Sequence, residues 1–313
     1  MNSNFNHAYI FIGFTHHYKP YIKIIYQNMR YRLRFQVDHE FGSLLPLNYQ
    51  LEVAKFIRHM LTEDRTLYDK WLESNHIVET KKTQLFNFSN LIVLDRKIYG
   101  DRLLIMSDNI ELTISFYHEE QTDNLIARAF DQLVFTIGDK KSSIRLKVVG
   151  IEKLPAPQIG NQMLFVARSP IVVQTYSESK YLKFLQPTEP NYTDLLISNL
   201  LEKYELFNGS PLQNQNFYTT LNILTEPKSK LLGINGLKKE FIKGYLFRFS
   251  LKAPKELLRI GYHVGFGDRN HFGFGFCDIL YKEPCNLSPI LKPDDQQDFN
   301  SIIPLEDKFW LNE

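Results

Sequence analysis

Five glycines crowd into fifteen residues near the carboxyl end, Gly261, Gly265, Gly267, Gly273 and Gly275, in a chain of 313 residues that holds only 15 glycines. Glycine admits positive φ and lets a ligand come close to the main chain. A loop carrying Asp268, Arg269, Asn270 and His271 between two Gly-x-Gly pairs is therefore able to line a phosphate with backbone N–H donors and a fixed guanidinium. The other reading is a glycine-rich turn between a helix and a strand. The loop is not a dinucleotide fingerprint: Asn270 stands where the third glycine belongs, and no strand and ribose-binding acid frame it. No Gly-Lys-Ser/Thr follows to make a P-loop. His16 and His17 are adjacent but lack carboxylate or cysteine company, and Cys277 and Cys285 form no CxxC pair. Neither a metal site nor a disulfide framework is expected, and a reducing cytoplasm fits best.

Charge is distributed unevenly behind a net value of +2. Residues 228–259 carry nine Lys or Arg against two Glu, whereas residues 283–313 carry seven acids against Lys292 and Lys308. Residues 1–34 add Lys19, Lys23, Arg30, Arg32 and Arg34 with no acid. Basic regions of this kind suit a polyanion, or they simply solvate strand and helix surfaces. With 43% hydrophobic and 23% charged residues the chain should fold, and the apolar stretches at 91–94 and 195–201 are too short to span a membrane.

The elements that must position the loop follow from periodicity. Tyr31, Leu33, Phe35 and Val37 alternate with Arg30, Arg32, Arg34 and Gln36, which predicts a half-buried strand with a basic outer face. Leu47, Leu51, Ala54, Ile57 and Leu61 form a helical stripe. A short helix at 67–75, strands at 84–94, 103–107 and 110–117, a helix around Leu125 to Leu133 and a strand at 143–151 complete a ferredoxin-like order. Pro155, Ala156 and Pro157 punctuate the chain. A strand at 163–176 broken at Pro170, a helix at 191–207, strands at 217–225 and 240–253, a helix at 254–260 and a strand at 274–281 then repeat that order. The predicted organisation is an extension at 1–28, ferredoxin-like domains at 29–155 and 156–283, and an acidic tail at 284–313.

The run LRIGYHVGFGDRNHFGFGF at 258–276 resembles the C-terminal signature of the CRISPR-associated endoribonucleases that cut precursor repeat RNA into guide RNAs, with its Gly-x-Gly, five residues, Gly-x-Gly spacing. Three further segments agree in order and position: LPLNY at 45–49, QLFNFS at 84–89, and 165–172 with Ser169 and Pro170. The similarity covers about 29–281. It implies an α+β fold of tandem ferredoxin-like (RRM-like) domains, a CRISPR repeat RNA as partner, other CRISPR effector subunits as further partners, and a reaction that needs no metal or other cofactor.

That reaction requires the ribose 2′-OH to lose a proton as it attacks phosphorus, the 5′-oxygen to gain one as it leaves, and the phosphorane charge to be stabilised. In the family a His often follows the Leu that ends the second short helix, but here Glu73 follows Trp71 and Leu72. His76 lies three residues on, and its bland alternative is an exposed His at a helix end. Lys81 and Lys82 stand near a family Lys position held here by Gln84. Arg58 sits at the edge of the first helix's apolar stripe, close to where some relatives carry a catalytic Tyr, with His59 on the solvent side. The expected order for proton transfer is His76, then His59, with Lys82 and Arg58 as charge stabilisers. His39, His118 and His263 are expected in packing or solvation.

RNA binding is expected from Gly265, Gly267, Asp268, Arg269, Asn270, His271, Gly273 and Gly275 in the loop and from Lys238, Lys239, Arg248 and Lys252 in the basic segment. The expected activity gives 5′-OH and 2′,3′-cyclic phosphate ends, from a monomer or homodimer. The alternatives are an inactive relative that binds repeat RNA for a larger complex, and a protein scaffold whose glycine loop is structural only.

Overall fold

The computed structural model describes residues 29–75, 77, 86–176, 181–213, 216–235 and 239–281. The expected extension at 1–28 and the whole acidic tail at 284–313 lie outside the described residues, as do His76, Lys82 and Lys238. The first half contains β1 (Arg30–Asp38), β2 (Leu44–Pro46), α1 (Gln50–Glu63), α2 (Arg65–Ser74), β3 (Asn87–Phe88), β4 (Arg96–Tyr99), β5 (Arg102–Ile105), β6 (Asn109–Ser115), α3 (Thr122–Phe130), β7 (Val134–Gly138) and β8 (Ser143–Lys153). The second contains β9 (Gln162–Ala167), β10 (Gln174–Tyr176), β11 (Leu182–Phe184), α4 (Tyr192–Asn208), β12 (Thr220–Ile223), β13 (Lys228–Asn235), β14 (Lys239–Leu246), β15 (Arg248–Lys252), α5 (Lys255–Val264), a 3-10 turn (Asn270–Phe272) and β16 (Cys277–Ile279). No helix among the described residues is long and apolar enough to cross a membrane.

Two antiparallel sheets carry the fold, in the orders β3-β6-β1-β8-β7 and β12-β15-β9-β16. Setting aside the edge strand β7, each sheet places the unit's first strand between its third and fourth and puts its second strand at the edge. That is the ferredoxin-like arrangement, and it occurs twice. In the first half, the alternation in β1 buries Tyr31, Leu33, Phe35 and Val37 beneath α1 and α3, whose Val53, Ile57, Leu125 and Ile126 close the same core. The Asp64 side chain accepts the Leu67 N–H at 3.1 Å and so caps α2, and Trp71 Nε1 donates to Thr122 Oγ1 at 2.8 Å, tying α2 to α3. In the second half, Phe165, Phe249 and Leu251 meet Leu196 and Leu200 of α4 and Leu257 and Leu258 of α5. Gly209, in a left-handed conformation at φ 69°, ends α4 where the sequence places the stop.

Two expected strands come out differently. Among the described residues of the stretch read as 84–94, strand is confined to Asn87–Phe88, with one further bridge from Ile92 to Glu111. The stretch read as 240–253 is two strands in different sheets: β14 pairs with β13 as a separate ribbon, and β15 joins β9 and β12. Phe247, buried between them, is where the chain passes from ribbon to sheet. The ribbon is mounted on a third small core, in which Ile242 and Leu232 pack with Val172, Phe184, Phe272 and Phe274.

Candidate nucleic-acid interface

The glycine loop is built inward. The N–H groups of Gly265, Gly273 and Gly275 donate to Gly261 O (3.0 Å), Asn270 O (2.8 Å) and Pro170 O (2.9 Å), and those of Phe266, Asp268 and Phe276 donate to Gly275 O, Val172 O and Ser169 Oγ. At Gly267 (φ 70°) a Cβ would strike Val172 O, and at Gly273 (φ 79°) it would strike the Phe88 ring. This corrects the expected cradle. The amides of Gly265, Gly273 and Gly275 are spent within the fold, and the glycines let the loop press against the protein itself. Asn270 is a fully buried brace whose Nδ2 donates to Phe274 O at 2.8 Å. Asp268 accepts from Gln174 N and Asn199 Nδ2, each at 3.0 Å, and its burial pushes the carboxyl above the usual range.

Arg269 and His271 remain half-exposed on this scaffold. Arg269 has left-handed backbone at φ 61°, and its Nε donates to Gln174 Oε1 at 3.3 Å. His271 lies against Phe272 with ring centroids 4.0 Å apart. The 270–272 turn packs on α1 of the other half, which brings the Arg58 guanidinium within electrostatic reach of His271. Burial first, then the Arg269 and Arg58 guanidiniums, push the imidazole down to about 4. At neutral pH it is an uncharged group within electrostatic reach of two cations. The expectation gave Arg58 and His271 separate roles in separate halves; the structure brings them together. His59 and Arg58 are both exposed on α1. Arg248 and Lys252 alternate with the core residues Phe249 and Leu251 on β15, and the backbone of Lys239 pairs with Asn235 in the ribbon.

Two buried cations were not foreseen. Arg30, read as part of a basic outer face, is completely buried. It bonds to Asp278 Oδ1 (2.8 Å), Cys277 O (2.8 Å) and Tyr262 O, and its guanidinium lies over the Tyr262 and Phe276 rings at 3.4 and 4.1 Å. Arg32 and Arg34 are paired with Glu111, and Arg32 also with Glu152. The outer face of β1 is thus charge-balanced, and its Arg30 end is covered by the second half. The second cation is Lys203 of α4, 5% exposed, whose Nζ donates to Gly265 O at 2.7 Å and Gly267 O at 2.6 Å. A signal existed for it. Leu196, Leu200, Lys203 and Phe207 recur at steps of four, three and four, which puts a lysine on a core stripe.

His263 is buried and His118 half-buried, against an expectation of packing or solvation. His118 is pushed down to about 4 by burial, and its ring lies 5.3 Å from Phe207. Between pH 6.5 and about 4 the unfolded chain holds protons at His118 and His271 that the folded chain does not. Stability is therefore kept above pH 6.5 and lost as pH falls through that window. Urea unfolding at pH 7.0, 5.5 and 4.5 should give a steadily lower midpoint, with a shallower fall in His118→Gln; equal midpoints at the three pH values would refute the assignment.

Residues 154–279 match the model of the CRISPR-associated protein Cas6 C-terminal domain. Residues 154–279 are a Cas6 C-terminal domain. It is 28% identical over 248 residues to a Pyrococcus horikoshii protein, Cas6nc, named only as a CRISPR-associated endoribonuclease-like protein, with 76% of this chain and 95% of that one covered. It is 25% identical over 252 residues to the CRISPR-associated endoribonuclease Cas6 1 of Methanocaldococcus jannaschii, covering 80% and 92%. A solved structure described as an RAMP protein binding different RNA substrates superposes with a TM-score of 0.66 at 28% identity, covering 81% of this chain and all of that one. The Cas6 match ends where β16 ends, so the Lys203-braced loop and the strand that receives Arg30 both lie inside it.

Proposed function

We propose that this chain binds CRISPR repeat RNA at the seam between its halves and cuts it without a metal ion. The observation that carries this reading is the packing of the 270–272 turn on α1, which gathers Arg58, Arg269 and His271 from opposite ends of the sequence. Two guanidiniums beside a neutral imidazole suit a phosphodiester: they draw in the anion and offset the charge that grows on the phosphorane. In the reaction the 2′-oxygen forms a bond to phosphorus as its proton leaves, and the bond to the 5′-oxygen breaks as that oxygen is protonated. The products are a 2′,3′-cyclic phosphate and a 5′-OH. His76 and His59 are the proton-transfer groups in this reading, and Lys82 joins Arg58 in charge stabilisation. The halves 29–155 and 156–283 divide the work, the first supplying the chemistry and the second, with Lys238, Lys239, Arg248 and Lys252, holding the RNA backbone.

The relative named as binding different RNA substrates and the relative named as an endoribonuclease support RNA as the ligand and cleavage as the activity. Glu73, standing where the family resemblance implies a His, favours a second reading in which the chain binds repeat RNA and leaves it whole. Incubation with the cognate repeat RNA in EDTA decides between them. The first reading expects one cut per repeat, abolished by a single 2′-deoxy substitution at the scissile nucleotide with binding retained. Binding without cutting would establish the second, and no binding at low salt would end both.

A further inference from the structure

Lys203 makes a buried contact for which neither the fold nor the reaction chemistry has an evident need. Its ammonium is 5% exposed, so it cannot act on a substrate from where it lies, and burial pushes it down to about 7. Retaining a charge there is costly unless the amine satisfies something equally costly to leave bare. That something is the pair of carbonyls at Gly265 and Gly267, which face α4 at 2.7 and 2.6 Å. Each carbonyl shares a peptide plane with the next N–H. Those N–H groups, of Phe266 and Asp268, bond in the other direction to Gly275 O and Val172 O. Lys203 thereby fixes two peptide planes, 265–266 and 267–268, at the entrance to the loop. Asn199, one helical turn earlier on α4, fixes the third point by donating to Asp268 Oδ1 at 3.0 Å. Beyond that point the chain enters the left-handed conformation at Arg269 and presents His271 to α1.

We propose that Lys203 is a positioning residue, holding the glycine loop from beneath so that Arg269 and His271 stand opposite Arg58. The proposal deepens the RNA reading and rests on it only for its functional consequence. Two measurements on the RNA-free protein test the mechanical part. In the wild-type chain with 15N-labelled lysine, one amine should exchange its protons at least tenfold more slowly than the solvent-facing lysines and should be absent in Lys203→Met. If no protected amine is found, the proposal is overturned without any variant being needed. In Lys203→Met, which fills the same space without a donor, the Phe266 and Asp268 amides should exchange at least tenfold faster while the β9 and β15 amides are unchanged. In the same variant the His271 imidazole should titrate nearer 6.5, because a loosened loop gives up part of its burial against α1 and its nearness to Arg58. Acceleration spread evenly over the second half would make Lys203 a general stability residue and refute the positioning role.

With repeat RNA, Lys203→Met should lower the cleavage rate at saturating RNA about tenfold and weaken binding less than threefold. An unchanged rate in a variant whose loop has loosened would overturn the link from loop geometry to catalysis. A wild-type chain that never cuts repeat RNA would instead overturn the proposed function, with the exchange results still deciding the role of Lys203.

Discussion

Replacing Arg30 with alanine should lower stability by about 3 kcal/mol and the melting temperature by roughly 6–12 °C. Arg30 occupies a slot between the Tyr262 and Phe276 rings and is bonded to Asp278 and to two main-chain carbonyls of the second half. Alanine empties that slot, strands the carbonyls of Tyr262 and Cys277, and removes one of the two guanidiniums on Asp278, leaving Arg168 Nε at 2.8 Å. Because Asp278 keeps that partner and is partly exposed, no bare charge is buried, which holds the cost near the low end for a broken buried pair. Arg30→Met should cost less than alanine, since it refills the space between the rings. Arg30→Lys should not rescue, since an ammonium cannot lie flat between two rings while reaching three acceptors. Thermal melts of the three variants check the order; an alanine variant melting within 2 °C of wild type would remove Arg30 as the pin between the halves.

The second large effect is on chemistry. Arg58→Ala should slow cleavage of repeat RNA about 100-fold at saturating RNA, the usual loss when one fixed stabiliser of transition-state charge is removed. The Thr62 hydroxyl bonds to the carbonyl of Arg58, not its side chain, and the side chain is exposed, so the helix should survive the change. A second readout follows from the same geometry. Removing a neighbouring cation makes an imidazole easier to protonate, so in the alanine variant His271 should titrate above its wild-type position of about 4. NMR titration of the His271 ring checks this independently of RNA. A cleavage rate within threefold of wild type would take Arg58 out of the catalytic set, and an unmoved His271 titration would separate the two residues altogether.

The candidate site residues were legible to different depths. Glu73 in place of the family His could be seen in the sequence, as could the exposure of His59 and the place of Arg58 at the edge of the apolar stripe, because helical periodicity alone orients side chains one hundred degrees apart. The place of the glycine loop was equally plain. Its internal use was not: the sequence shows that positive φ is permitted, but whether the freed space admits a ligand or the protein's own Val172 and Phe88 depends on what packs there. His271 was placed correctly in the loop, yet its proton affinity is lowered first by burial and then by the guanidiniums of Arg269 and of Arg58, the last more than two hundred positions away.

What the sequence determined by itself was local. Alternation along β1, the apolar stripes of α1, α3 and α4, the glycine stop at Gly209 and the order of elements follow from the 2.0 and 3.6 periods and from backbone sterics, which operate within a few residues. The tertiary structure alone decided which face of β1 is covered, why an arginine there is buried, and how far α1 lies from the 270–272 turn. Those outcomes depend on two separately closed cores meeting across a seam, where desolvation and pairing are set by groups that no short window of sequence contains.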